Sequence, residues 1–182
     1  MEWIIALIVI ALILVVWIVM SQRKLVSQDE LCGNALSQIG VQQNSRWDAL
    51  TALADLTKQY SEHEHKTLMD VIGSRRTIDA TSSAQETEEQ ENMLTQAMGR
   101  LMAIAEAYPD LKANTTYIET MEGVKQYENN VRMSRMVYND TVTSFNRSVR
   151  QIPICFVARM FGFNIREYLK TEDDKKQMPS MS

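Results

Sequence analysis

Residues that interrupt helices are scarce in this sequence. Its 182 residues include only three prolines and six glycines. Ala, Glu, Gln and the 12 Met residues, all good helix formers, are abundant by comparison. No strand or hairpin signal interrupts the pattern. The composition therefore predicts an all-α protein.

Cysteines are few, and there is no large excess of charge of one sign. Cys32 and Cys155 have neither metal-site spacing nor a partner motif, so they are interpreted as packing residues in a reducing compartment. The net charge is −4 and the basic residues are scattered, which gives no electrostatic footprint for nucleic acid. A Gly-rich phosphate loop and a nucleophile–base arrangement are both missing. We predict no catalytic residue, no cofactor and no nucleic-acid partner.

The two histidines lie together in the stretch SEHEHKT. Glu62 and His65 form a Glu-x-x-His motif, the spacing used by di-iron helical bundles. Such a site needs a second motif on another helix, and the other histidine, His63, lies about 200° around the same helix. We therefore predict no metal site, and a di-iron enzyme ranks third among the functional hypotheses.

An apolar run opens the chain. Residues 3–20 contain no charged side chain and are long enough to span a bilayer, with Trp3 and Trp17 near the two ends as interfacial anchors. A cleaved signal peptide is the alternative, but the Met-Glu start is not basic and no small-x-small cleavage site follows. Arg23 and Lys24 follow the span. The positive-inside rule then predicts an outside N-terminus and a cytoplasmic C-terminal bulk.

Helical patterns fill most of the remainder. Residues 25–47 are a weaker helix, because Gly33 and Gly40 lower helix propensity and allow another backbone to approach closely. Residues 48–76 carry an apolar stripe, and Asp48 is a candidate N-cap.

The second half contains the clearest helices. After the polar stretch 79–90, the apolar spacing predicts a helix over 86–108 that Pro109 ends. A long helix follows over about 114–151, with N-cap candidates at residues 114–116, a Thr116–Glu119 capping box, a 4-3 apolar seam and Pro153 beyond its end. Short connections between three to four long helices predict an antiparallel up-and-down bundle behind the transmembrane helix.

Charged residues occupy some seam positions. Glu128 and Arg135 lie on the seam of the long helix, and Glu64 lies on the apolar stripe of residues 48–76. Because Glu and Arg are rarely buried unless paired, we hypothesise an interhelical polar network of Glu64, Glu128 and Arg135 with Arg46 and Arg75. The alternative is a partly open seam in which these groups are solvated.

The segment 153–170 is too apolar for a solvated tail. Packing on the bundle is one interpretation, and contact with lipid or a neighbouring subunit is the other. The candidate contact residues are Phe156, Met160, Phe161, Phe163, Arg159 and Arg166.

Several stretches resemble one protein family. AEAYPDLKAN (105–114), YNDTVTSFN (138–146) and VARMFGF (157–163) closely resemble the C-terminal half of LemA-family proteins. QIGVQQNSRWDAL (38–50), YSEHEHKTL (60–68) and Arg75 also match that family's pattern. The chain departs from it at Gly40, where the family usually has Asp, and at Thr51, where it usually has Pro. The missing Pro leaves open whether residues 25–76 form one long helix or two.

The resemblance implies a left-handed helical bundle on a bacterial membrane anchor, with the N-terminus outside and the C-terminus inside. It implies no enzyme, and the roles discussed for the family concern membrane organisation or remodelling. We expect an anchor over 1–24, a bundle over 25–152, the apolar segment 153–170 and a disordered tail over 171–182.

The functional interpretation is a scaffold in the bacterial inner membrane. It would self-associate as a homo-oligomer, contact membrane lipid and bind an unknown protein partner. The alternative is a membrane-tethered sensor or adaptor whose bundle binds a partner or a small ligand, which should show a ligand pocket between helices or an attached output domain.

Overall fold

The described part of the chain, residues 1–170 of a computed structural model, consists of helices and connections. The helices are α1 (Glu2–Thr57), α2 (Glu62–Ile72), α3 (Ala84–Ala107), α4 (Pro109–Lys112), α5 (Thr115–Arg150) and α6 (Ile154–Met160). No strand occurs between residues 1 and 170. The predicted all-α class is confirmed, and the predicted disordered tail, 171–182, lies outside the described residues.

Helix α1 joins the apolar segment to the bundle without a break. Its 56 residues span about 84 Å at ~1.5 Å per residue. Residues 1–16 are exposed, and burial against the rest of the protein starts at Trp17 and Ile18. The anchor and the first bundle helix are therefore one continuous element.

The open question about residues 25–76 is settled by a break at residues 58–61. Helix α1 passes through Gly40 and Thr51 and ends at Thr57. Ser61 then caps α2, accepting a hydrogen bond from the Glu64 backbone N–H at 3.3 Å. The expected cap at Asp48 is wrong, because Asp48 lies in the interior of α1.

The long helices alternate in direction. Helix α2 runs antiparallel to α1, since His65 contacts the Ala54 carbonyl and Arg75 contacts Asp48. In α3, Thr87 and Glu91 both meet Gln43 of α1. Helix α5 returns along α1, with hydrogen bonds from Gln28 to Ser144 and from Asn130 to Gln42. The predicted antiparallel bundle is confirmed.

Two apolar cores lie along this bundle. The distal core joins α1 after residue 46 to α2, α3, α4 and the first third of α5. The proximal core lies nearer the apolar segment and joins residues 25–39 of α1 to the second half of α5, to α6 and to Leu169. The proximal core thus depends on the chain's C-terminal segment.

The connection 73–83 crosses α1 where that helix has glycines. A Cβ atom on Gly40 would lie 2.0 Å from the carbonyl oxygen of Ile78, and one on Gly33 would lie 3.3 Å from the Ala80 Cβ. The expected close backbone approach is confirmed. Ile78 itself is buried in the proximal core.

Helix ends follow local chemistry, with two corrections. Helix α3 ends before Pro109 with Tyr108 as its C-cap, as predicted, whereas the short helix α4 that Pro109 begins was not predicted. Helix α3 starts at Ala84 rather than at 86, because Ser83 and Glu86 form a capping box. Helix α5 is capped by Asn114, which accepts hydrogen bonds from the N–H groups of Thr116 and Tyr117, so the expected Thr116–Glu119 box is wrong.

Candidate membrane-proximal surface

The end of α5 lies level with the point where α1 leaves the apolar segment. Ser144 of α5 is paired with Gln28 of α1. Because the helices are antiparallel, moving six residues on to Arg150 corresponds to moving six residues back to Gln22. Gln22 lies two residues beyond Met20, where the apolar run ends. Everything after Arg150 therefore begins at the expected bilayer surface.

Helix α6 lies beside the end of the apolar segment. Val157 and Ala158 are buried in the proximal core, with 3% and 0% of their surface exposed. Trp17 and Ile18 pack against the same core. Since these two residues belong to the apolar run, α6 lies level with the end of the candidate membrane span.

The side of α6 and its flanking residues that faces away from the proximal core is apolar and uncovered. Ile152, Phe156, Met160 and Phe161 are exposed by 75%, 65%, 62% and 50%. Phe156 and Met160 are four residues apart, so they share one side of α6. We call these four residues the apolar face.

The charges around the apolar face have one sign. Residues 3–28 and 141–166 contain no Asp or Glu. Their basic residues are Arg23, Lys24, Arg147, Arg150, Arg159 and Arg166, of which Arg166 is paired with Asp29 on the bundle. An apolar face with cations around it suits the boundary between acyl chains and anionic headgroups.

The chain then turns away from this surface and runs back along α5 as an extended segment, residues 163–170, called here the strap. The Phe163 ring packs edge-on against Phe145 with 6.3 Å between centroids. Arg166 pairs with Asp29 at 2.7 Å, and this partner raises the pKa of the guanidinium. Leu169 is buried in the proximal core.

The six predicted contact residues thus divide into two groups. Phe156, Met160, Phe161 and Arg159 are exposed on or around α6. Phe163 and Arg166 pack on the bundle instead. Packing on the bundle describes Val157, Ala158 and the strap, whereas contact of the exposed Phe156, Met160 and Phe161 with lipid or a neighbouring subunit stays a prediction.

The predicted anchor residues lie at the two ends of the apolar run. Trp3 is 85% exposed, whereas Trp17 is partly covered by the proximal core. Arg23 and Lys24 are exposed at the level of Arg150. These cations extend the basic surroundings of the apolar face.

The structure does not bring the five residues of the hypothesised polar network together. Arg46 pairs with Glu91 of α3, and Arg75 pairs with Asp48 at 3.0 Å on the surface. Arg135 donates to the carbonyl of Lys170 in the strap.

The two remaining residues of that hypothesis face other surroundings. Glu128 is exposed, and Glu64 is half-buried at the start of α2. A 4-3 spacing defines one side of a helix, but it does not say whether another element covers every point along that side. For this reason the seam alone did not identify the partners.

Glu91 is the partner of Arg46 that the sequence interpretation missed. It accepts hydrogen bonds from both Arg46 and Gln43, and it joins α1 to α3. Its spacing was an available signal, because Glu91 lies three residues before Leu94 and so shares the buried side of α3.

Two further features bear on the di-iron enzyme and the sensor, the two alternative functions. His65 contacts the Ala54 carbonyl at 2.9 Å, and residues 1–170 contain no cluster of three His, Cys, Asp or Glu side chains arranged to hold a metal. An open groove between α1 and α5 has a volume of about 470 Å³ and is lined by Asp48, Glu119 and Tyr127 among others. It lacks the enclosure that buries most of a small ligand.

Comparison with known proteins gives a family match and partial relatives. The model of the LemA family matches residues 35–182. Magnetosome proteins MamQ 1 and MamQ 2 of Paramagnetospirillum magneticum are each 31% identical over 74 residues, which is 41% of this chain and 27% of theirs. Magnetosome protein MamQ of Magnetospirillum gryphiswaldense is 32% identical over 72 residues, 40% of this chain and 26% of its own. The chain thus matches about a quarter of the length of these relatives.

Proposed function

This chain belongs to the LemA family, and from that premise we propose that it is a scaffold that self-associates at the cytoplasmic side of the bacterial inner membrane and organises or remodels the bilayer. The apolar face is the observation that carries the proposal. It lies at the level where the apolar run ends, and cations surround it.

Contact at two places distinguishes such a protein from one that is merely tethered. The apolar run inserts across the bilayer, and the apolar face enters one leaflet beside it. Side chains that enter only the headgroup boundary of one leaflet expand that leaflet relative to the other. Many copies acting together would then favour curvature or a defined lipid patch.

The continuous helix α1 supports the same role. A tether made of a flexible linker would let the bundle tumble, whereas one helix through anchor and core holds the bundle at a set angle. Neighbouring copies would present the same surfaces at the same height above the bilayer. That geometry favours repeated side-by-side association.

Orientation and partners complete the proposal. Arg23 and Lys24 support a cytoplasmic bundle through the positive-inside rule. Membrane lipid, a second copy of the chain and a further protein are its proposed partners, and no catalytic activity is proposed. The relatives named as magnetosome proteins lend coarser support, for a protein associated with a membrane.

The test compares full-length proteins reconstituted into vesicles that contain anionic phospholipid. One variant carries Phe156→Ser, Met160→Ser and Phe161→Ser. A matched control carries Met102→Ser, Ile118→Ser and Met133→Ser, which are also exposed apolar residues. Wild type and control should form oligomers and change vesicle shape in electron micrographs, whereas the first variant should insert without changing it. A wild type that stays a monodisperse monomer and leaves vesicles round would contradict the proposal.

A further inference from the structure

The strap is held to α5 mainly through its backbone. Asn146 donates to the Arg166 carbonyl at 2.9 Å and accepts from the Arg166 N–H at 2.8 Å. Asn139 does the same for Leu169, at 2.9 Å and 3.0 Å. Between them, the Tyr138 hydroxyl donates to the Glu167 carbonyl at 3.0 Å.

The spacing of these asparagines fits an extended peptide. Asn139 and Asn146 are seven residues apart, which is about 10.5 Å along one side of a helix. Arg166 and Leu169 are three residues apart, which is about 10 Å in an extended chain. Two side chains on a rigid helix can therefore each bind one residue's N–H and C=O without distortion of either partner.

Several side chains of the strap also make contacts: Lys170 pairs with Glu88 of α3 at 3.6 Å, and Tyr168 lies within hydrogen-bonding reach of Thr143 and Asn146. Phe163 packs on Phe145, Arg166 pairs with Asp29, and Leu169 enters the proximal core. Ile165 and Tyr168 are exposed by 55% and 50%. The contacted side chains follow the pattern Phe-x-x-Arg-x-Tyr-Leu-Lys, and the backbone hydrogen bonds of Arg166, Glu167 and Leu169 add to them.

The strap leaves α6 at a glycine that ends the helix, where the Phe163 N–H donates to the Ala158 carbonyl at 2.9 Å. Gly162 has a φ of +76°, a conformation that other residues rarely adopt, and no atom lies near the position of a Cβ there. The segment beyond this glycine is extended rather than helical, so its direction depends on a few backbone angles. Release of the strap from its own α5 with α6 still packed would require a change in the backbone angles at Gly162.

We propose that the asparagine-lined side of α5 is a peptide-binding site for the strap of a second copy of this chain, so that exchange of straps joins neighbouring molecules. Every contact made within one chain is available between two identical chains, which makes exchange of one element energetically inexpensive. This inference rests on the proposed self-association and gives it a contact surface.

The membrane anchor favours this occupant over others. Copies inserted in one bilayer share orientation and height, so a neighbour's α5 side lies level with the strap's exit at Gly162. Confinement to the plane of the membrane also raises the local concentration of neighbouring copies. A neighbour's α5 can then compete better with the chain's own α5 for the strap. Exchange is therefore expected in a crowded membrane and less in dilute detergent.

The experiment uses two differently tagged full-length chains expressed in one membrane. Both carry Cys32→Ala and Cys155→Ser; one adds Thr143→Cys and the other Tyr168→Cys. Thr143 and Tyr168 are exposed, and their side chains lie within hydrogen-bonding reach in one chain. A short bis-maleimide should then join the two tags. Val137→Cys replaces Thr143→Cys as the control, since position 137 lies on another side of α5, and this pair should give no joined product.

A second comparison tests the asparagines. Asn139→Ala with Asn146→Ala should abolish the joined product, while Asn34→Ala with Asn129→Ala, both at exposed positions, should retain it. Circular dichroism verifies that both variants are helical. If the first variant does not fold, the crosslink between chains with intact asparagines still decides the question.

The outcomes separate this inference from the proposed function. Oligomers of wild type without a Thr143→Cys to Tyr168→Cys product would overturn strap exchange and leave the scaffold role standing. A product that persists in the folded Asn139→Ala, Asn146→Ala variant would also overturn it. A wild type that is monomeric in the membrane would overturn both.

Discussion

At the scale of single residues, a buried ion pair joins the first and third helices. Arg46 is only 3% exposed, and its partner Glu91 is nearly as well covered. Gln43 donates to the same carboxylate at 3.1 Å. The carboxylate therefore offsets the unfavourable burial of a guanidinium and fixes the height of α3 against α1.

Removal of one partner should be far more damaging than loss of a surface pair. Glu91→Ala leaves Arg46 buried without its counter-charge, and we expect a loss of about 3–5 kcal/mol in unfolding free energy. Arg75→Ala, which breaks the exposed pair with Asp48, should lose less than about 1 kcal/mol. Urea unfolding of the proteins in detergent measures both. Similar losses for the two variants would contradict this account of the buried pair.

A second residue-scale prediction concerns Gly40. Gly40→Ala places a Cβ 2.0 Å from the Ile78 carbonyl oxygen, and the backbone shift should destabilise the fold by about 1–3 kcal/mol. Gly99→Ala is the matched control, because nothing lies within 4 Å of its Cβ position. That change should instead stabilise α3 by about 0.5–1 kcal/mol through helix propensity. Thermal unfolding distinguishes the two signs.

At the scale of elements, caps decide where the helices begin. Glu86 accepts hydrogen bonds from the Ser83 N–H at 2.8 Å and from its hydroxyl at 3.0 Å. These bonds hold the pKa of Glu86 below its usual range. Ser83 in turn accepts from the Glu86 N–H, so the first turn of α3 is closed from both sides.

The capping box gives α3 a pH dependence with a definite sign. Because the pKa of Glu86 is lower in the folded state, its stabilisation is complete above the pKa of the unfolded chain and disappears as pH falls through the folded pKa. Glu86→Ala should lower the melting temperature at neutral pH, and its difference from wild type should shrink in acid. Glu89→Ala, an exposed residue one turn on, should show a smaller difference with little pH dependence. An equal effect of both substitutions at every pH would contradict the capping role.

At the scale of the whole molecule, the two cores are completed by different parts of the chain. The distal core is formed by residues of five helices, α1 to α5, whereas the proximal core is completed by α6 and the strap. Burial in the proximal core raises the pKa of the Cys32 thiol, which makes its reactive thiolate scarce. Cys32 should therefore not interfere when other positions are labelled.

The orientation of the whole molecule follows from its two ends. With Cys155→Ser as background, Lys112→Cys marks α4 at the far end of the bundle and Glu2→Cys marks the N-terminus. A maleimide that cannot cross membranes should label Glu2→Cys in intact cells and Lys112→Cys only after permeabilisation. The reverse pattern would contradict a cytoplasmic bundle.

The sequence by itself determined the elements with strong local causes. Periodicity predicted the ends of α3 and α5 to within two residues of the observed ends. Pro109 marked the end of α3, and two glycines marked where another part of the backbone crosses α1. The spacing around Ser83 and Glu86 also contained the start of α3, although only the structure identified it. Each of these features is local, because it depends on backbone hydrogen bonds and side chains within a turn or two.

Only the tertiary structure decided which groups meet across the bundle. Arg46 pairs with Glu91, Arg166 pairs with Asp29, and the asparagines of α5 hydrogen-bond to the strap's backbone. A helical pattern gives the side on which a residue lies, but its partner depends on the axial register and on which element covers that side. Those quantities are set by the packing of all helices together, so no stretch of the chain contains them.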